Sequence, residues 1–285
     1  MNRRIGAFLA LALLGVVGVG AVLTIGPNVE SDPTATPEGE LLTVSFPVTQ
    51  SDQPMSVDIL QTAPHDPTAF TQGLVWSEGQ FFESTGRDTT LRRTDVASGE
   101  QLQFLDLDDE RFGEGLALVD DRLILLSYRA EVATVFDAET LATVEEFTYE
   151  GEGWGLCYDG QRLVMSNGTA TLTFRDPNSF AILGSVEVTL DGDLVTQINE
   201  LECVNGQVVA NVWKSSTLIV IEPSTGEVVG TVDASALVRA ADRDDANAVL
   251  NGIAFDPVTE TFWLTGKLWP TMYNVRIVSR TDPVN

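Results

Sequence analysis

The chain has 285 residues and carries 42 acidic against 16 basic side chains, a formal charge of −26. A surface that negative repels nucleic acid and anionic membrane, which excludes both as partners of the folded body; otherwise the acidity reads as a solvated face. With one histidine (His65) and two cysteines, the chain also lacks the imidazoles and thiolates of a catalytic zinc site, and any Ser-His-Asp triad would have His65 as its base.

Asn2-Arg3-Arg4 precede an unbroken apolar run from Ile5 to Ile25, 21 residues that end at Gly26-Pro27. The run is long enough to cross a bilayer as a helix, and Val19-Gly20-Ala21 offers the small residues of a cleavage site. Residues 1–27 therefore read as either a signal peptide or an N-terminal membrane anchor. Both place the body outside the cytoplasm, with membrane contact through this segment alone. Residues 28–50 read as a flexible tether, and residues 51–285 as one folded body large enough for a well-buried core.

Within that body Val, Ile, Leu, Thr and Phe are punctuated every few residues by Gly, Asp, Asn and Pro, an all-β pattern. Only the stretch from Ala234 to Ala248 suggests a helical turn. A strand signal recurs five times, at Thr71-Gln72-Gly73-Leu74, Gly113-Glu114-Gly115-Leu116, Gly153-Trp154-Gly155-Leu156, Asn199-Glu200-Leu201 and Leu250-Asn251-Gly252-Ile253. The anchors Gln72, Glu114, Trp154, Asn199 and Asn251 are spaced by 42, 40, 45 and 52 residues. A second strand follows each: Gln80 to Thr85, Arg122 to Ser127, Arg162 to Ser166, Gln207 to Trp213 and Thr261 to Thr265. Third strands run into turns such as Asp95-Val96-Ala97-Ser98-Gly99 and Asp176-Pro177-Asn178-Ser179, and a fourth strand closes the unit, as at Gln101 to Leu107. This period and strand count are those of a β-propeller blade, and the count is five. The last unit lacks a fourth strand, and Ser56 to Thr62 is a spare one. The N-terminal strand is therefore expected to complete the last blade and close the ring.

A propeller gathers equivalent positions at one mouth, so the anchors should converge. On the second strands, Glu83, Ser166, Asn211, Trp213 and Lys267 are the matching candidates. Glu83 follows Phe81-Phe82, and desolvation beside that apolar wall would fit it for proton transfer. Lys267, one of only two lysines, could stabilise a developing negative charge. Trp154, between two glycines, has room to face a ligand. Asn211 and Trp213 share a face by period two. Glu114 could pair with Lys267 or bind a cation, and Glu114, Asn199, Glu200 and Asn251 could supply oxygen ligands to Ca²⁺. Cys157 and Cys203, on neighbouring first strands, either pair or stand as two buried small hydrophobes.

The chain closely resembles the plant-type glutaminyl-peptide cyclotransferases. The words that carry the resemblance run in order across the body: His65-Asp66-Pro67-Thr68-Ala69-Phe70-Thr71-Gln72-Gly73-Leu74, Phe82-Glu83-Ser84-Thr85-Gly86, Phe112-Gly113-Glu114-Gly115, Glu152-Gly153-Trp154-Gly155-Leu156, Asn199-Glu200-Leu201-Glu202, Asn211-Val212-Trp213, Leu250-Asn251-Gly252-Ile253-Ala254 and Thr265-Gly266-Lys267-Leu268-Trp269-Pro270. The resemblance implies a five-bladed propeller that cyclises the N-terminal glutamine of a peptide or protein to pyroglutamate and releases ammonia. It implies a monomer that needs no cofactor for catalysis, with at most a structural cation. It places the proton-transfer glutamate on Glu83, with Phe70, Gln72, Trp154, Asn199, Trp213 and Lys267 in the pocket; the repeat columns add Asn211 and Asn251 around the substrate, and the chemistry of ring closure suits Lys267 to a catalytic part beside Glu83. One departure stands out: where relatives have Thr-Trp this chain has Ser127-Tyr128, which makes Tyr128 the aromatic wall residue.

Two other readings compete. One is a Ca²⁺-dependent propeller lactonase or esterase, which usually has six blades and an Asp that this register lacks. The other is a binding propeller without catalysis.

Overall fold

The computed structural model describes residues 54–107 and 111–279. The apolar run and tether expected at 1–27 and 28–50 lie outside the described residues. Among the described residues the body is all-β, with one short helix.

The first strand, β1 (Met55–Pro64), precedes a four-stranded antiparallel sheet of β2 (Thr71–Ser77), β3 (Gln80–Thr85), β4 (Thr90–Asp95) and β5 (Gln101–Asp106). A second such sheet contains β6 (Gly113–Val119), β7 (Arg122–Ser127), β8 (Val132–Asp137) and β9 (Thr143–Thr148). A third contains β10 (Leu156–Tyr158), β11 (Leu163–Met165), β12 (Thr171–Arg175) and β13 (Ile182–Glu187). A small hairpin of β14 (Thr189–Leu190) and β15 (Asp193–Leu194) intervenes. Next come β16 (Ile198–Val204), β17 (Gln207–Val212), β18 (Thr217–Ile221) and β19 (Val228–Asp233), the helix α1 (Ser235–Ala241), and then β20 (Leu250–Asp256), β21 (Thr261–Gly266) and β22 (Thr271–Val278).

The strand expected at Ser56 to Thr62 is β1, and it pairs antiparallel with β22 from Ser56–Val278 to Pro64–Thr271. At its start β1 also pairs in parallel with β19, through Met55–Val232 and Ser56–Asp233. That short contact joins two antiparallel quartets into one eight-stranded sheet, a linkage the repeat did not announce. The uneven repeat spacing has a material cause. The 45-residue interval holds the β14–β15 hairpin, and the 52-residue interval holds α1, whose Leu237 and Ala241 are buried against the last two quartets.

Local chemistry explains the hairpins. Glu78-Gly79 and Asn205-Gly206 both take positive φ at two successive residues, the type I′ geometry that matches strand twist. Between third and fourth strands, Asp95 Oδ1 accepts hydrogen bonds from the Ser98 amide at 2.8 Å and hydroxyl at 2.7 Å; Asp137 with Thr140 and Asp176 with Ser179 repeat the motif.

The first strands pack in cyclic order, β2 on β6, β6 on β10, β10 on β16, β16 on β20 and β20 back on β2. Four of them break register with their second strand at the anchor, between Thr71 and Gly73, Gly113 and Leu116, Ile198 and Leu201, and Leu250 and Ile253. A residue freed from the ladder in this way is re-aimed, which is the usual effect of a bulge. Glycine follows the anchor at Gly73, Gly115 and Gly155 because the next first strand leaves no space for a Cβ. A methyl group there would overlap the backbone of Leu116, of Gly155 and Leu156, and of Asn199 respectively. In the fourth unit Glu200 holds that place, and its buried carboxylate accepts the amides of Leu74 (3.4 Å) and Ile253 (2.9 Å).

Cys157 on β10 and Cys203 on β16 form a disulfide, Cα atoms 5.5 Å apart, which ties the third sheet to the fourth quartet across 46 residues of chain. Loop-closure entropy for a ring of that size is worth about 4 kcal/mol. The Cys157→Ser/Cys203→Ser variant is therefore expected to fold and to lose about that much stability in denaturant titration; an unchanged midpoint would show that the cross-link contributes nothing.

Candidate active site

A cavity of about 360 Å³ lies at the end of the sheets where first strands begin and second strands finish. Its volume is in the range of small-molecule sites. Four of the five anchors line it: Gln72, Glu114, Trp154 and Asn199. Trp213 and Lys267 join them from just beyond β17 and β21.

Aromatic rings form a continuous wall. Phe70 meets Phe112 with centroids 6.0 Å apart, Phe112 meets Tyr128 at 5.9 Å, Tyr128 meets Trp154 at 6.5 Å, and Trp154 meets Trp213 at 6.0 Å. All four contacts are edge-on, the arrangement that ring quadrupoles favour. The Trp154 indole N–H donates to Glu152 at 3.0 Å, and Arg129 holds that carboxylate at 2.7 Å. The wall therefore has an orientation fixed by polar contacts as well as by packing.

Inside it sit a basic and an acidic side chain, Lys267 and Glu114. The Lys267 ammonium lies 4.8 Å from the centroid of Phe70, and burial pulls its pKa down to about 8, against the attraction of Glu114. Burial pushes the Glu114 carboxyl well above the usual carboxylate range; Lys267 opposes this and Glu152 adds to it. Among protein groups, Gln72 Oε1 and Asn199 Oδ1 have no hydrogen-bond partner, although both residues are buried. Buried amides are normally paired, so two free acceptors in one cavity suit a ligand that donates.

Glu83 is not in this cavity. Its carboxylate accepts from Thr71 Oγ1 at 2.6 Å and pairs with His65 Nε2 at 2.9 Å, and both side chains are almost completely buried. Beside it is a separate crevice of about 60 Å³, too small for a peptide end. On β3 it lies opposite Leu74 and Arg92, while its neighbour Ser84 reaches the Glu114 carbonyl at 2.6 Å. The expectation that Glu83 lies with Lys267 and Trp154 is thus corrected in its geometry: the acid that shares their cavity is Glu114.

Asn211 and Asn251 also stop short of the cavity lining. Asn211 Oδ1 accepts the Gly252 amide at 3.2 Å, and Asn251 Nδ2 donates to the carbonyls of Thr71 (3.0 Å) and Gln72 (3.3 Å). Asn251 ties the first strand β20 to β2, and Asn211 ties the second strand β17 to β20, so Trp213 lines the cavity and Asn211 does not. The oxygen set considered for Ca²⁺ is likewise divided, since only Glu114 and Asn199 line the cavity; the Glu200 carboxylate is engaged by backbone amides, and Asn251, whose Oδ1 has no protein partner, lies outside the lining. Ser166 is spent on the Asn199 carbonyl at 2.6 Å.

Phe112, Gln197 and Asn247 line the cavity without having been selected from the sequence. The first two were findable. Phe70, Phe112 and Gln197 each stand two residues before an anchor, and period two puts such pairs on one face. Asn247, in the segment after α1, carries no repeat signal.

Three comparisons bear on this geometry. A family model described as glutamine cyclotransferase matches residues 34–277. A curated glutaminyl-peptide cyclotransferase of Arabidopsis thaliana is 35% identical over 227 residues, 78% of this chain and 71% of that protein. The crystal structure of Myxococcus xanthus glutaminyl cyclase superposes with a TM-score of 0.78 at 42% identity, covering 81% of this chain and 100% of that one.

The close approach behind Trp154 and Asn199 is open to direct test. Gly155→Ala would drive a methyl group into the Asn199 carbonyl oxygen, whereas Gly184→Ala meets only Phe174, at 3.9 Å. The first is expected to cost about 1–3 kcal/mol and the second less than about 0.5 kcal/mol, read by urea denaturation. Equal effects would mean that the strands do not pack this tightly.

Proposed function

The chain belongs to the glutamine cyclotransferase family, and on that premise we propose that it converts the N-terminal glutamine of peptides or proteins to pyroglutamate, with Glu114 as proton shuttle. The observation that carries the reading is a carboxyl group and an ammonium buried together in one aromatic-walled cavity. In the reaction the α-amine attacks the γ-amide carbon. A C–N bond forms to the amine nitrogen, the bond to the amide nitrogen breaks, and one proton passes from the first nitrogen to the second, which leaves as ammonia. The attack is intramolecular, so holding the side chain folded back supplies much of the acceleration.

Each residue has a part in this. Glu114, raised toward neutrality by burial, takes the amine proton and returns it to the leaving nitrogen. Lys267, still charged at neutral pH, faces the oxygen that gains negative charge. Gln72 Oε1 and Asn199 Oδ1 accept from the substrate's amide and amine. Trp154, Trp213, Tyr128, Phe70 and Phe112 exclude water, which favours ring closure over hydrolysis. Every proton is handled by side chains, so the chemistry calls for no cofactor.

The same reading takes the three sheets and the two halves of the eight-stranded sheet as five blades, with β1 as the last strand of the fifth. The cyclic packing of the five first strands supports that count. It also takes residues 1–27 as an export signal or anchor, 28–50 as a tether and 51–285 as the catalytic body. The Cys157–Cys203 disulfide supports an oxidising location outside the cytoplasm.

Mass spectrometry of a Gln-initiated peptide incubated with the protein is expected to show loss of one ammonia. Glu114→Gln should lower kcat by about 10²–10⁴-fold with KM nearly unchanged; wild-type-like ammonia release from it would reject the assignment. Activity should also fall as pH rises through about 8, where Lys267 loses its proton. Lys267→Arg, whose guanidinium stays charged, should remove that alkaline limb even if its absolute rate is lower. A limb unchanged in the variant would place its origin elsewhere.

A further inference from the structure

The buried pair that Glu83 makes with His65 sits one layer behind the cavity, yet its hydrogen bonds lead into it. His65 Nδ1 lies 2.7 Å from the Trp269 carbonyl, which has no proton to give, so this nitrogen must donate. Nε2 faces a Glu83 oxygen at 2.9 Å that also takes the Thr71 hydroxyl at 2.6 Å. An imidazolium satisfies both ring nitrogens at once; a neutral ring has one proton for two acceptors.

The groups tied to this pair are the backbone supports of the cavity. Trp269 belongs to the turn between β21 and β22 that carries Lys267. The His65 amide donates to Pro270 O at 3.0 Å, and the Leu268 amide, at a residue with φ 62°, donates to Ala69 O at 2.7 Å. Thr71, which anchors the Glu83 end, adjoins Gln72. One buried contact therefore braces both the strand start that presents Phe70 and Gln72 and the turn that presents Lys267.

We propose that the His65–Glu83 pair is a positioning element for Lys267 and Gln72, acting as an imidazolium–carboxylate bridge that sets the cavity's geometry without touching substrate. The proposal rests on the reading of the cavity as the cyclisation site. The charged groups around the bridge are Glu83 from β3, Asp66 from the loop after β1, and Arg92 from β4, which is paired with Asp66 at 2.6 Å. Burial pulls the His65 pKa down, but Glu83's charge and hydrogen bond outweigh it, and the net direction is up. Burial raises Glu83, and His65 and Thr71 outweigh it in the other direction. The bridge therefore persists between the lowered Glu83 and the raised His65 pKa. Its contribution is lost as pH climbs through the His65 value or falls through that of Glu83.

His65 is the only histidine, so ¹⁵N NMR of histidine-labelled protein reads it without ambiguity and without a variant. Both ring nitrogens are expected at imidazolium positions at about pH 7, above the ordinary histidine pKa. In Glu83→Gln the titration should move down by about one pH unit or more, because the counter-charge is gone. For a Gln-initiated peptide, kcat of that variant relative to wild type should be about tenfold down near pH 8 and recover toward pH 6, with KM within about twofold. The ratio cancels the Lys267 titration common to both proteins. Glu83→Asp, which keeps the charge, should restore a pH-independent ratio. A neutral ring in the wild type at about pH 7, or a kcat ratio for Glu83→Gln that does not vary with pH, overturns the proposal. If Glu83→Gln fails to fold, the wild-type NMR titration decides on its own. A wild-type protein that releases no ammonia would instead refute the function assigned to the cavity, and the NMR result would be unaffected.

Discussion

Backbone crowding around the centre governs this structure. The first strands of successive sheets approach until a Cβ no longer fits at Gly73, Gly115 or Gly155, and at that level they leave the regular ladder. A bulge costs ladder hydrogen bonds, and the protein recovers them with side chains. Asn251 and Glu200 serve the amides and carbonyls of neighbouring first strands, and Ser84 and Ser166 reach the carbonyls of Glu114 and Asn199. The same irregularity that forces this repair turns Gln72, Glu114 and Asn199 toward one cavity, which Trp154 joins from just before β10 without a register break. Site and seam are two products of one constraint.

Electrostatics inside the cavity follows from its walls. Five rings exclude water around an ammonium and a carboxyl, and both groups shift toward their neutral forms for the same first cause, burial. In a chain of charge −26 with two lysines, one of those lysines is buried here, over Phe70. A surface lysine would cost the fold far less.

Much of the architecture was legible from the sequence. The anchors, the second strands, the Asp-led turns and the closing strand at β1 all follow from period-two alternation and turn chemistry, which are local. The β14–β15 hairpin and the β1–β19 contact were not legible, because insertions and edge contacts leave no periodic trace. The position of Glu83 was not legible. A glutamate after two phenylalanines looks desolvated, and it is, but its partner is His65, and sequence does not reveal which side of a strand meets which neighbour across the ring. The anchor column already held an acid at the cavity, Glu114, and its equivalence to Gln72, Trp154 and Asn199 was the stronger signal. Asn211 and Asn251 misled for a related reason: buried amides that mend backbone look, in sequence, like amides that greet a ligand.

The pairing of β1 with β22 has a consequence for biosynthesis. β1 takes its main partner from β22, at the far end of the described residues, so this pairing waits until β22 has been synthesised. The β1–β22 pairing is thus a contact of very long sequence separation, the slow kind of step in folding. Until it happens, the edges of β1 and β22 that belong to each other stay open to other strands.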